Sequence, residues 1–133
     1  MPARAAYSYA ILRVMPRVER DEYINAGAVV HCPERRYLAA AVALDEARLL
    51  QLFPGADLPA INRHLMAIAD LCAGAEAAGP LATLSMSERF HWAVAPRSTM
   101  VQASPLHSGL TDDPAAALVH LVDTMVRLPP PRS

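Results

Sequence analysis

Tyr7-Ser-Tyr-Ala-Ile-Leu-Arg-Val-Met-Pro-Arg17, Tyr23-Ile-Asn-Ala-Gly-Ala-Val-Val-His-Cys32 and Tyr37-Leu-Ala-Ala-Ala-Val-Ala-Leu44 are the three runs that decide the fold. Each is rich in aromatic, branched or small apolar residues, and each predicts a strand. Pro16 and Pro33 stop the first two, and only Glu19-Arg-Asp-Glu22 and Glu34-Arg-Arg36 join each run to the next. Connections that short demand antiparallel neighbours, so residues 7–44 form a three-stranded meander. Gly27, inside the second run, predicts a bulge or a close backbone approach.

Beyond the meander the period changes from two to about 3.6. Asp45 caps a short helix offering Leu49, Leu50, Leu52 and Phe53 for burial, and Pro54-Gly55 ends it. Asp57 caps a longer helix whose Leu58, Ile61, Leu65, Ile68 and Cys72 fall on one stripe. Ser85-x-x-Glu88 is a capping-box pattern that opens a third helix carrying Arg89, Phe90, His91 and Trp92. Thr99 to Ser104 predicts a fourth strand, stopped by Pro105, with Ser108-Gly109 as a turn. Thr111 or Asp112 then caps a last helix with Leu118, Leu121, Val122 and Met125 as its buried stripe. The fold class is α+β: an antiparallel three-stranded meander plus a fourth strand, with helices packed on one face. Residues 1–133 form a single domain with its core at about 7–128, and 1–6 and 129–133 are expected as frayed termini.

Apolar residues make up 53% of the chain and charged ones 19%, a globular balance. A net charge of −1 argues against attraction of the whole surface to nucleic acid or anionic lipid. All twelve basic residues are Arg. Without Lys there is no Schiff base and no Walker-type phosphate lysine, so an anion must be held by guanidinium forks, backbone amides or His. Cys32 and Cys72 stand forty residues apart with no metal spacing near them and predict buried thiols in a reducing compartment. No run of eighteen apolar residues and no signal-like leader is present, so a soluble, cytoplasmic protein off the membrane is expected.

Candidate site residues gather between positions 85 and 114. Arg97-Ser98-Thr99 joins a helix stop to a strand start and offers paired donors and hydroxyls to an anion; Arg89 lies upstream, and His107 and Ser108 lie beyond the strand. A strand from 99 to 104 holds its ends roughly 17–20 Å apart. Arg97 and His107 therefore do not meet on one small ligand unless the chain folds back. Arg13, Arg17 and Asn25 make a second patch on the meander, where five Arg meet four acids in the loops and a solvated rim is the plain alternative. Phe90 and Trp92 are expected as core anchors, His31 and His120 as partly buried and hydrogen-bonded, and His64 as a surface residue. The five His share no ligand spacing, so no metal, no cofactor and no catalytic residue is assigned.

The motifs Tyr-Ser-Tyr-Ala-Ile-Leu-Arg-Val-x-Pro-Arg17, Tyr-Ile-Asn-Ala-Gly27, Cys-Pro-Glu-Arg-Arg-Tyr-Leu38, Arg-Phe-His-Trp92 and Ala-Pro-Arg-Ser-Thr99 together resemble a bacterial family. It is the domain-of-unknown-function family numbered three-zero-three-seven, and the resemblance runs over about Tyr7 to Leu128. The resemblance implies no activity. Its members' association with proteins similar to HipA-type serine/threonine kinases implies an accessory or regulatory role beside a kinase-like partner.

Three functions remain open on these grounds. The first is a non-enzymatic accessory protein that docks another protein, with the 85–110 segment and the strand edge as candidate surfaces; separately from it, an exposed sheet edge allows a homodimer. The second is a small module for an anionic ligand, a nucleotide or a nucleic-acid end. The third and weakest is a hydrolase using His107 with Asp112 or Asp113, residues better explained as helix caps.

Overall fold

Antiparallel hydrogen bonding joins β1 (Ala5–Val14) to β2 (Ile24–Cys32), and β2 to β3 (Tyr37–Val42), as the meander requires. The computed structural model describes residues 3–96 and 100–129. Each hairpin loop is one 3-10 turn, Val18–Arg20 or Pro33–Arg35, closed by a residue in the left-handed region: Asp21 at φ 55° and Arg36 at φ 51°. Gly27 answers to both of its expectations. The register slips between Leu12 and Arg13 of β1, leaving Ala26 bulged, and a Cβ on Gly27 would stand 2.5 Å from the Ala41 carbonyl oxygen.

The other side of β1 is shared by two short strands, β4 (Val101–Ala103) and β5 (His107–Thr111). The sheet order is β3-β2-β1-β4, with β5 in line with β4. Ser108-Gly109 is thus strand, not turn. Tyr7 explains why: its ring lies over Gly109, where a Cβ would meet ring atoms at 2.9 Å, so the aromatic covers a position that has no side chain of its own.

Among the described residues, four α-helices complete the fold: α1 (Glu46–Leu52), α2 (Leu58–Ala73), α3 (Met86–Val94) and α4 (Pro114–Leu121). Asp45 and Asp57 cap the first two through the amides of Arg48 and Ala60, and Ser85 and Glu88 form the full capping box on α3. α4 is capped by Asp113, which accepts from Ala116 N at 3.2 Å, while Thr111 Oγ takes the Asp113 amide. This moves the cap one residue past Asp112.

The α+β class stands, but the helices lie on both faces of the sheet. Leu12, Val14, Ile24, Val29 and Leu38 pack with α1, α2 and α3. The alternate residues Ile11, Ala28 and Val30 pack with Leu118, Leu121, Val122 and Val126. Successive side chains on a strand point to opposite faces, so α4 covers the side the other three leave open. The alanines make this close approach feasible: Ala28, Ala39 and Ala41 face α4. α4 runs on into a π-helical turn, Val122–Val126. The wider turn brings Val126 into the core in place of Met125, which is exposed. Trp92 likewise departs from expectation: Phe90 is buried, but Trp92 is 51% exposed. His120 is exposed on α4, and His64 is exposed on α2 as expected.

Candidate functional site

Arg97, Ser98 and Thr99 lie outside the described residues. Of the remaining sequence candidates, Arg89 turns inward. Its Nη1 donates to the carbonyls of Cys72 (2.8 Å) and Leu71 (3.2 Å), and its Nε to Leu84 O (3.2 Å). The guanidinium so closes the C-terminus of α2, over Gly74 in its left-handed cap conformation. His107 lies on the opposite side of the sheet, with its ring 5.3 Å from Tyr9, which is 5.9 Å from Tyr7. Arg89 and His107 therefore do not converge. Ser108 is exposed and points away from His107 by strand alternation.

The second patch is also divided. Arg13 lies over the Tyr23 ring at 4.4 Å, a cation–π contact, and its buried Nε has no hydrogen-bond partner among the described residues. Asn25 donates to Met125 O at 2.9 Å and so ties the bulge of β2 to the π-helical turn. Arg17 pairs with Glu19 at 2.8 Å on the surface. Arg17 and Arg20 border a cleft of about 530 Å³ whose far wall is Pro54, Asp57 and Met100.

A cleft of about 600 Å³ opens between the end of α3 and the break separating β4 from β5. Its apolar walls are Val94, Ala103, Pro105 and Leu106, and His91 stands at its rim. Pro105 creates the break, because it has no N–H to give the ladder. Leu106, next to it, is left 50% exposed. His91 Nδ1 donates to Ser87 O at 2.8 Å, which fixes the ring at the cleft's edge. Behind it His31, only 6% exposed, packs its ring 4.7 Å from Phe90. Burial, and after it the neighbouring His91, holds the His31 pKa below its ordinary 6.5. Leu106 and Val94 escaped the sequence reading. The signal was there in an unaccompanied Leu between a proline and a short polar strand.

An apolar recess of about 390 Å³ lies between α2 and the 3-10 segment Glu76–Thr83, with Ile68, Leu71 and Leu81 as walls and His64 at the edge. Cys72 is buried, and its thiol is pushed up to about 12 by burial against the opposing pull of Arg89. Such a thiol stays protonated and unreactive in the native protein. Among the described residues, no three His, Cys, Asp or Glu side chains group to hold a metal ion. No single helix among them is long and apolar enough to cross a membrane.

Neither the curated proteins nor the solved structures contain a match to this chain. A family model described as a protein of unknown function (DUF3037) matches residues 9–126, from the core of β1 through the π-helical turn. That span takes in the meander, both short strands, all four helices and the cleft between α3 and the β4–β5 break, and on it the chain belongs to the family of proteins of unknown function DUF3037.

Proposed function

We propose that the chain is a non-enzymatic accessory protein that works in the cytoplasm by docking another protein, and that the cleft beside α3 receives an apolar side chain of that partner. The observation carrying this reading is the open apolar wall formed by Val94, Pro105 and half-exposed Leu106, on the same helix end as half-exposed Trp92. Exposed apolar and aromatic groups around a recess are where binding free energy concentrates in protein interfaces. The resemblance read from the sequence motifs supports a HipA-like, kinase-type protein as the partner class.

Titrating such a kinase-like protein with the purified chain tests the reading. A complex is expected, and Leu106→Ala should weaken it by about tenfold or more. Arg17→Ala, which alters a different cleft, should leave it unchanged. No complex, or equal binding by Leu106→Ala, overturns the assignment.

A second reading, capture of an anionic ligand, draws on Arg17 and Arg20 at their cleft. Each guanidinium already holds a carboxylate, Glu19 or Glu22, which an anion would have to displace. The hydrolase reading draws least support. Asp113 is engaged as a helix cap and His107 is stacked on Tyr9 at the opposite end of β5.

A further inference from the structure

β5 pairs with β1 along one side, and among the described residues no strand lies along its other side. Which backbone groups face outward follows from β1. In an antiparallel strand, alternate residues direct their N–H and C=O to opposite neighbours. Ile11 directs both of its groups to Ser104, and Met15 directs its amide to Met100 O, on the same side. Ala5, Tyr7 and Tyr9 share that parity, so their groups face Thr111, Gly109 and His107. The groups left pointing away from the sheet are those of Ser108 and Leu110.

We propose that a second copy of this chain occupies this edge, with β5 pairing antiparallel to its counterpart about a two-fold axis at Gly109. The inference is independent of the docking role above. In that register Ser108 of one copy and Leu110 of the other exchange N–H and C=O, and the symmetry repeats the exchange on the far side of the axis. Every outward group of the strand is then used. The edge is self-complementary because its two outward residues flank the central one, and that central residue has no side chain to hold the strands apart. Charge agrees with the pairing. Leu106 to Thr111 contains no formal charge, so no like charges meet across the axis. The edge also lacks the devices that keep monomeric sheets apart: no Arg, no proline and no bulge lies within β5. Leu110, now 64% exposed, would be covered by the neighbouring strand.

Sedimentation equilibrium on the purified chain, at up to roughly 100 μM, should give twice the 14.3 kDa chain mass. Ser108→Pro removes an outward N–H without touching the bonds to β1, and should sediment as a single chain with an unchanged circular dichroism spectrum. The doubly substituted Ser108→Cys, Leu110→Cys chain should form an interchain disulfide on mild oxidation, since a hydrogen-bonded antiparallel pair holds its Cα atoms at about 5.5 Å, within disulfide reach. His107→Cys should not, because it faces Thr111 of the other copy. A wild-type chain at single mass overturns the proposal, as does a Ser108→Pro dimer or equal cross-linking by His107→Cys. If Ser108→Pro fails to fold, the cysteine pair decides.

Discussion

Ser104 stands in for a strand residue opposite Ile11. Its Oγ accepts the Ile11 amide at 2.9 Å, and its own amide donates to the Ile11 carbonyl at 2.8 Å. The need is created by Pro105. On β1, Ala10 and Ile11 separate the residues paired with β4 from those paired with β5; on the other chain segment the gap is Ser104, Pro105 and Leu106. One extra residue must be absorbed there. A hydroxyl does this by reaching back to an amide the interrupted backbone cannot reach, while donating its own proton to Pro105 O.

Ser104→Ala should therefore cost more than an ordinary surface change. It strands the buried amide of Ile11, a loss of about 1–3 kcal/mol. Denaturant unfolding should show a lower midpoint with an unchanged slope, and the Ile11 amide should lose hydrogen-exchange protection. Retention of both would mean that another group or a water already serves that amide.

The meander could be read from the chain because Pro16, Pro33 and the two short polar connectors punctuate it, and the helix starts because Asp45, Asp57 and Ser85 carry their caps in their own side chains. The two-sided burial of the sheet was also written there, in a different form. From Ala26 to Cys32 the second strand is apolar or nearly so at every position, with no polar alternation, and every one of those residues is buried. An uninterrupted apolar strand is the mark of a sheet covered on both faces. β5 was hidden because Ser108-Gly109 has turn chemistry, and only Tyr7, a hundred residues earlier, makes it a strand. Arg89 was misleading for a related reason: its partners are main-chain carbonyls of a distant helix end, which no side-chain pattern displays.

Arg89→Met separates a structural from a ligand-binding role for that guanidinium. Methionine keeps much of the apolar stem but gives no donor to Leu71, Cys72 or Leu84. Hydrogen bonds from a charged donor contribute about 1.5–3 kcal/mol, so stability should fall by about 2 kcal/mol. The loss should appear in denaturant unfolding with no ligand present. Unchanged stability would return Arg89 to the set of residues available for binding.

His31 makes stability depend on pH, and the sign follows from its burial. In the unfolded chain it takes up a proton near 6.5. In the folded protein burial lowers its pKa, aided by His91, so protonation waits for a more acidic pH. Between the two values the unfolded state binds more protons, and stability therefore rises with pH. The contribution is complete above about 6.5. It is lost as pH falls from there, by no more than about 1.4 kcal/mol per pH unit, and levels off below the folded pKa. His31→Phe keeps a ring against Phe90 but binds no proton. Measured from pH 7.5 down to about 5, the stability of the wild type relative to His31→Phe should decline through this window. His91→Ala should shrink that decline without abolishing it, since burial is the larger cause. Parallel pH profiles for wild type and His31→Phe would show that His31 protonates as readily in the folded chain as in the unfolded one, and that water reaches the ring behind α3.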